Sequence, residues 1–253
     1  MKLRILQIVA PDASAYERKC LRIDSATPSE KFVLVADAPD LVHVYGSPPP
    51  LALPYIASAA PAKSWFRRSS PPRLVVTPFN LPEAVEEAFF REAPRLDGWS
   101  GAPHLIASFV GSRPGVQNQV EQTMARIHRF RDDIAWRTFD TPPAPDDLRE
   151  VDVWVDPAIE DGDFDGFTAE AIVAGKRVVA ARTPINEHRL EKGRTGFLVP
   201  RKDPNELTHA ILEALFKSEV ARLKIDAARQ TVGKFRPRQR LRVLERVYQA
   251  TVT

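Results

Sequence analysis

Residues 151–200 read VDVWVDPAIEDGDFDGFTAEAIVAGKRVVAARTPINEHRLEKGRTGFLVP, and this stretch decides the fold class. Val151–Val155 has the apolar character of a buried strand and runs into an acidic loop. Small residues from Thr168 to Ala174 suit a closely packed helix, ended by Gly175. Arg177–Ala181 is a second buried strand, the next loop carries Asn186 and Glu187, and Gly193–Pro200 closes the unit. Two successive strand-loop-helix units predict a parallel sheet with helices on its faces. Ligands of such sheets collect at the carboxyl ends of strands, which makes 156–168 and 182–187 the candidate ligand-facing segments.

Working outward, the same alternation extends to both termini. Strands are predicted at Leu3–Val9, Phe32–Ala36, Leu41–Tyr45, Leu74–Thr77, Leu105–Val110 and Ile134–Phe139. Helices are predicted from Ser14, over Leu51–Ala59, Pro82–Arg91, Val116–Phe130, Leu207–Phe216 and Val220–Val232. Val120, Met124 and Ile127 recur at core spacing in the fourth of these. Pro94–Pro103 has Pro, Gly and Asp without periodicity and reads as an interdomain linker. The expectation is therefore an α/β protein of two Rossmann-like, doubly wound domains facing a cleft. The first, small, domain takes 1–97 and the second 98–253.

Composition narrows the function classes. A hydrophobic share of 43% and a charged share of 27% are those of a globular chain. A single cysteine, Cys20, excludes an intramolecular disulfide and fits a reducing compartment. No apolar run approaches membrane-spanning length, and the first residues read as a strand rather than a signal peptide, so a cytoplasmic protein is expected. The net charge is only +3, yet basic residues concentrate in Lys63–Arg73 (KSWFRRSSPPR) and Lys234–Arg246 (KFRPRQRLRVLER). These runs are read either as solvated surface or as contacts to anionic phospholipid or a phosphorylated substrate. No nucleic-acid-binding module is present, so a nucleic-acid partner is not expected. The histidines show no metal-ligand spacing, and no dinucleotide fingerprint, Walker loop, nucleophile elbow or cysteine cluster occurs.

The order Asp156-Pro157, Gly162-Asp163-Phe164-Asp165, Glu170-Ala171-Ile172-Val173-Ala174-Gly175, Arg177-Val178-Val179-Ala180 and Gly193-Arg194-Thr195-Gly196-Phe197-Leu198-Val199-Pro200 carries a specific pattern. It resembles the donor-binding half of the large retaining family of GT-B glycosyltransferases, the group 1 or family 4-like enzymes. The match continues through Asp203-Pro204-Asn205-Glu206-Leu207, and Phe235–Tyr248 resembles the family's last helix, which crosses back to the first domain. The resemblance implies a metal-independent, hexosyltransferase-type enzyme. It would move a sugar from a nucleotide-sugar donor to an acceptor hydroxyl, with retention. No cofactor is implied beyond the nucleotide-sugar as co-substrate, and the acceptor is a glycan, a lipid-linked molecule or a small molecule.

Site residues follow from the same resemblance. Glu170 falls on the helix Glu that accepts hydrogen bonds from ribose hydroxyls; its other reading is an N-terminal-turn Glu favoured by the helix dipole. Gly111, Ser112 and Arg113 follow a strand where the family binds diphosphate, with the family's next Lys missing; Arg113 reads equally as a solvated turn residue. Gly111 and Gly115 would let the backbone approach the donor. Asp163 and Phe164 lie where the family has Gly-Phe, and the family's loop Glu falls on Gly162. Thr168 opens the helix of Glu170, and Thr183–Glu187, ending in Glu187, would border the sugar or phosphate. His43 and Tyr45 lie on Asp-x-x-His-x-His, with Tyr45 in place of the second His; together with Asp163 they are the catalytic candidates. His43 reads equally as a packed strand histidine. Ser14-Ala15 replaces the family's first glycine pair. These departures sustain an alternative reading, a catalytically impaired binding or regulatory subunit. A third is a peripheral membrane enzyme using Trp65-Phe66-Arg67-Arg68.

Overall fold

The computed structural model describes residues 2–10, 13, 15–35, 41–45, 55–58, 74–76, 83–91, 103–111, 113–160 and 167–252. The chain divides into two units: unit 1 is Met1–Glu86 with Lys234–Thr253, and unit 2 is Glu87–Gly233. The last helix, expected to cross back to the first domain, groups with unit 1.

Among the described residues unit 1 has five parallel strands, β1 (Leu3–Val9), β2 (Phe32–Leu34), β3 (Leu41–Tyr45), β4 (Tyr55–Ser58) and β5 (Leu74–Val76), in the order β2-β1-β3-β4-β5. Its helices are α1 (Ala15–Ala26) and, at the end of the chain, α8 (Pro237–Val252). β3 is LVHVY and every residue is buried, as expected for a strand covered on both faces. On one face Ile5, Phe32 and Leu41 pack with Leu241, Leu244 and Tyr248 of α8; Ala10, Val42 and Val44 form a separate cluster with Leu6 and Ile8. Leu51–Ala59, expected to be helical, contains β4 instead, and within Pro82–Arg91 the described residues 83–91 hold only a short 3-10 turn at Glu87–Arg91.

Unit 2 repeats the winding. Its strands are β6 (His104–Phe109), β7 (Ile134–Phe139), β8 (Val153–Asp156), β9 (Arg177–Ala181) and β10 (Phe197–Val199), all parallel, in the order β10-β9-β8-β6-β7. Between them run α2 (Pro114–Ile127), α3 (Pro145–Arg149), α4 (Thr168–Val173) and α5 (Pro184–Arg189), followed by α6 (Pro204–Phe216) and α7 (Ser218–Arg229). Ile106, Val153, Val155, Val179 and Val199 form a core with Ile127 of α2 and Leu207 and Ile211 of α6. α4 and α7 pack on each other and against β9. Local chemistry sets the helix ends. Asp203 caps α6 by accepting from the amides of Asn205 (3.0 Å) and Glu206 (3.1 Å), with Pro204 at the first helical position. α4 ends in a Schellman arrangement, with Gly175 N–H to the Ile172 carbonyl and Lys176 N–H to that of Ala171; the φ of +68° at Gly175 is why glycine stands there. The segment 182–187, expected as a loop, forms most of α5: Pro184 starts it and the Thr183 side chain caps the Asn186 amide. Among the described residues no helix is long and apolar enough to cross a membrane.

Candidate functional site

In unit 2 the strand order reverses beside β6: β7 lies on one side of it and β8 on the other. Loops leaving the carboxyl ends of β6 and β8 diverge there, and the opening between them is where doubly wound sheets bind ligands. The β6 loop carries Gly111 and Arg113; the β8 loop ends at Phe167, which precedes α4 with Thr168 and Glu170.

Phe109 holds these pieces together. Its ring meets that of Phe167 edge-on at 4.7 Å between centroids. The Arg113 guanidinium lies 5.8 Å from the Phe109 ring centre. Gly111, at φ +53°, passes so close that an added Cβ would be 3.3 Å from the ring. Arg113 folds back over the strand end, donating from Nε to the Val110 carbonyl (3.0 Å) and from Nη2 to the Phe109 carbonyl (2.5 Å). Its Nη1 is buried and has no hydrogen-bond partner. A guanidinium pinned by two of its nitrogens, with a third buried and unspent, retains donor capacity for an anion. The close approach expected at Gly115 is occupied from within the chain: Ile159 Cδ1 lies 2.2 Å from where a Cβ would stand.

A second network joins β8 to β9. Asp156, at the tip of β8, accepts from Asn186 Nδ2 at 2.8 Å and faces Thr168 Oγ1 at 3.5 Å. Asn186 Nδ2 also donates to the Ala181 carbonyl at 3.0 Å, and Arg189 Nη1 donates to Asn186 Oδ1 at 3.3 Å. Asp156, Thr168, Asn186 and Arg189 are all buried. One carboxylate thereby sets the starts of both α4, which bears Glu170, and α5, which bears Glu187. Glu170 is 1% exposed, whereas Glu187 is partly exposed and pairs with Arg182 at 2.9 Å. Asp156 was not singled out as a site residue on sequence; the signal was an acid closing an otherwise apolar buried strand.

The sequence candidates therefore separate. Gly111, Arg113, Thr168 and Glu170 gather at the reversal point of unit 2, and α5 brings Glu187 to the end of the neighbouring strand. Ser112, Asp163 and Phe164 lie outside the described residues. His43 and Tyr45 are on β3 of unit 1, both 0% exposed and stacked at 4.2 Å. His43 Nδ1 is 2.6 Å from the Tyr248 hydroxyl, and burial, reinforced by the Arg240 charge, lowers its pKa to about 3. The Tyr45 hydroxyl donates to Asp24 (2.8 Å), which holds Arg240 through Nε (2.8 Å) and Nη2 (3.0 Å). Burial, then the Asp24 charge, pushes the pKa of Tyr45 up. This is the environment of a packed strand histidine with a neutral ring at pH 7. Among the described residues no three His, Cys, Asp or Glu side chains are grouped to hold a metal ion.

Comparison with known proteins places this geometry. No curated protein matches the sequence closely enough to count as a relative. Solved structures share the fold along the whole chain. A glycosyltransferase from Rickettsia africae superposes with a TM-score of 0.67 at 14% identity, covering 100% of this chain and 99% of the other. Anabaena HepE, solved in complex with UDP-glucose, gives 0.63 at 14% identity, covering 98% and 100%. Sucrose-phosphate synthase from Thermosynechococcus elongatus gives 0.61 at 13% identity, also covering 98% and 100%. The architecture is that of the GT-B glycosyltransferases, whose domains are Rossmann-like. The family model for glycosyl transferases group 1 matches residues 74–216, more than half of the sequence. The chain belongs to the group 1 glycosyl transferases.

Proposed function

We propose that the chain transfers a sugar from a nucleotide-sugar donor to an acceptor hydroxyl, with retention, and that unit 2 binds the donor. The observation that carries this reading is Arg113, fixed to the end of β6 by two backbone hydrogen bonds while Nη1 remains buried without a partner. A departing diphosphate supplies the oxygens such a donor needs, and fixed cations stabilise the charge that grows on it. Glu170 would accept from the ribose hydroxyls, Thr168 and the 183–187 segment would border the sugar, and Gly111 would admit the phosphates. Asp156 would act indirectly, by fixing α4 and α5. Unit 1 would supply the acceptor side; His43 and Tyr45 would shape it rather than transfer protons. The UDP-glucose bound in the HepE structure is consistent with a donor of this class.

A second reading, a donor-binding subunit without turnover, is favoured by the burial of His43 and Tyr45 and by Ile159 over Gly115. Calorimetric binding and hydrolysis with a panel of UDP-, GDP- and ADP-sugars separates the two. Binding with turnover supports the transferase and binding alone supports the subunit. Neither, in folded protein, overturns both.

A further inference from the structure

Charge is divided unequally between the two units. Unit 1 contains 16 Lys and Arg against 9 Asp and Glu, whereas unit 2 contains 20 against 24. The modest overall charge of +3 thus hides a basic unit joined to an acidic one. Part of the excess sits on α8. Arg240 is buried and bonded to Asp24, and Leu241, Leu244 and Tyr248 supply the apolar face. Arg238, Arg242 and Arg246, four residues apart, are all exposed. That spacing lines them up along the outer side of the helix. Among the described residues no carboxylate pairs with any of the three. The helix's one acid, Glu245, is instead engaged by Ser29 Oγ at 2.6 Å and Lys31 Nζ at 3.7 Å. Like charges at this spacing weaken a helix, so the ladder is a local cost that folding does not recover.

We infer that α8 is a docking face for an anionic lipid surface, engaged through Arg238, Arg242 and Arg246. A bilayer presents repeated, laterally mobile phosphates that can meet three guanidinium groups in a row without a shaped pocket. No exposed aromatic lies between the arginines to stack bases, which disfavours single-stranded nucleic acid. The Trp65–Arg68 run lies outside the described residues and contributes nothing to this argument. The docking face is independent of the donor reading. It would hold unit 1, the proposed acceptor side, at a membrane surface.

The test is sedimentation of the full chain with vesicles of phosphatidylcholine containing phosphatidylglycerol, against phosphatidylcholine alone. Binding is expected only to the anionic vesicles and should fall as salt is raised. Replacing all three arginines (R238Q/R242Q/R246Q) should weaken partitioning by about a hundredfold, at about fivefold per basic residue. The same number of exposed basic changes on unit 2, R129Q/K192Q/R222Q, should leave it unchanged. Neither triple variant should unfold at a lower temperature than the parent, and nucleotide-sugar binding of both should match it, so a failed donor assay would not bear on the vesicle result. Absence of binding to anionic vesicles overturns the inference, and so does equal loss in both triple variants. Retention by an oligonucleotide but not by vesicles would also overturn it, assigning the face to nucleic acid instead.

Discussion

Removing either member of the Asp24–Arg240 pair should destabilise unit 1 severely, while removing both charges should cost much less than the sum. Both side chains are 2% exposed, and Arg240 grips the carboxylate through two nitrogens at 2.8 and 3.0 Å. The Tyr45 hydroxyl supplies a third bond at 2.8 Å, so Asp24 ties α1 to α8 and β3. Arg240→Met leaves a buried carboxylate facing one hydroxyl, and Asp24→Asn takes from the buried guanidinium the negative charge it grips through two nitrogens. Each should cost about 3–5 kcal/mol, the usual penalty for stranding one buried charge. The double variant Asp24→Asn, Arg240→Met buries no charge and keeps an acceptor for Tyr45. It should cost about 1–3 kcal/mol, mainly for lost hydrogen bonds. The cycle then returns a coupling energy of several kcal/mol, far above that of an exposed pair. A chain of two units need not unfold in one step, so the readout should be native-state hydrogen exchange at amides of α1, β3 and α8. Single variants each costing under about 1 kcal/mol, or a double variant equal to their sum, would refute the reasoning.

Other consequences are as direct. His43 titrates near pH 3 folded and near 6.5 when free, so between these values the unfolded chain holds the extra proton. Stability contributed by His43 is complete above pH 6.5 and declines below it by up to about 1.4 kcal/mol per pH unit. His43→Gln should flatten that part of the pH–stability curve, measured by native-state hydrogen exchange at amides of β3 and α8. Lys224 donates to the Gly193 and Gly196 carbonyls at 2.5 and 3.1 Å and lies 4.9 Å from the centre of the Phe197 ring. Lys224→Met should cost about 1.5–3 kcal/mol in unit 2 and raise exchange at 193–197, whereas an unchanged exchange profile would show the contact to be idle. Asp156→Ala leaves Asn186 Nδ2 with only its bond to the Ala181 carbonyl and one N–H buried and unmet, which should cost about 1–3 kcal/mol, with weakened donor binding; Asp156→Asn should recover part of both. Equal donor affinity in a folded Asp156→Ala variant would remove Asp156 from any positioning role.

What could be read along the chain depended on whether the deciding interaction was local. β3 and β9 fall on the predicted residues because buried strands leave continuous apolar runs, and β1 and the half-exposed edge strand β7 fall there too. Leu51–Ala59 was expected to be helical, yet 55–58 pairs with β3 and β5, and that pairing outweighs propensity. α5 was hidden by Pro184, which ends a helix in mid-course but starts one at its first position. At the proposed site, Arg113 and Glu170 were singled out because each sits in a motif of fixed spacing. The Asp156–Asn186 bond spans 30 residues and exists only because β8 and β9 are neighbours. The contacts of His43 with Tyr248 and of Asp24 with Arg240 span 205 and 216 residues, and no local pattern could announce them.

The most direct test of the central claim is a crystal structure of the chain with an intact or hydrolysed nucleotide-sugar. The account predicts diphosphate oxygens within hydrogen-bonding distance of Arg113 Nη1, the ribose against Glu170, and Ile159 displaced from above Gly115. A nucleotide bound away from the ends of β6 and β8, or none bound at saturating concentration, would contradict it.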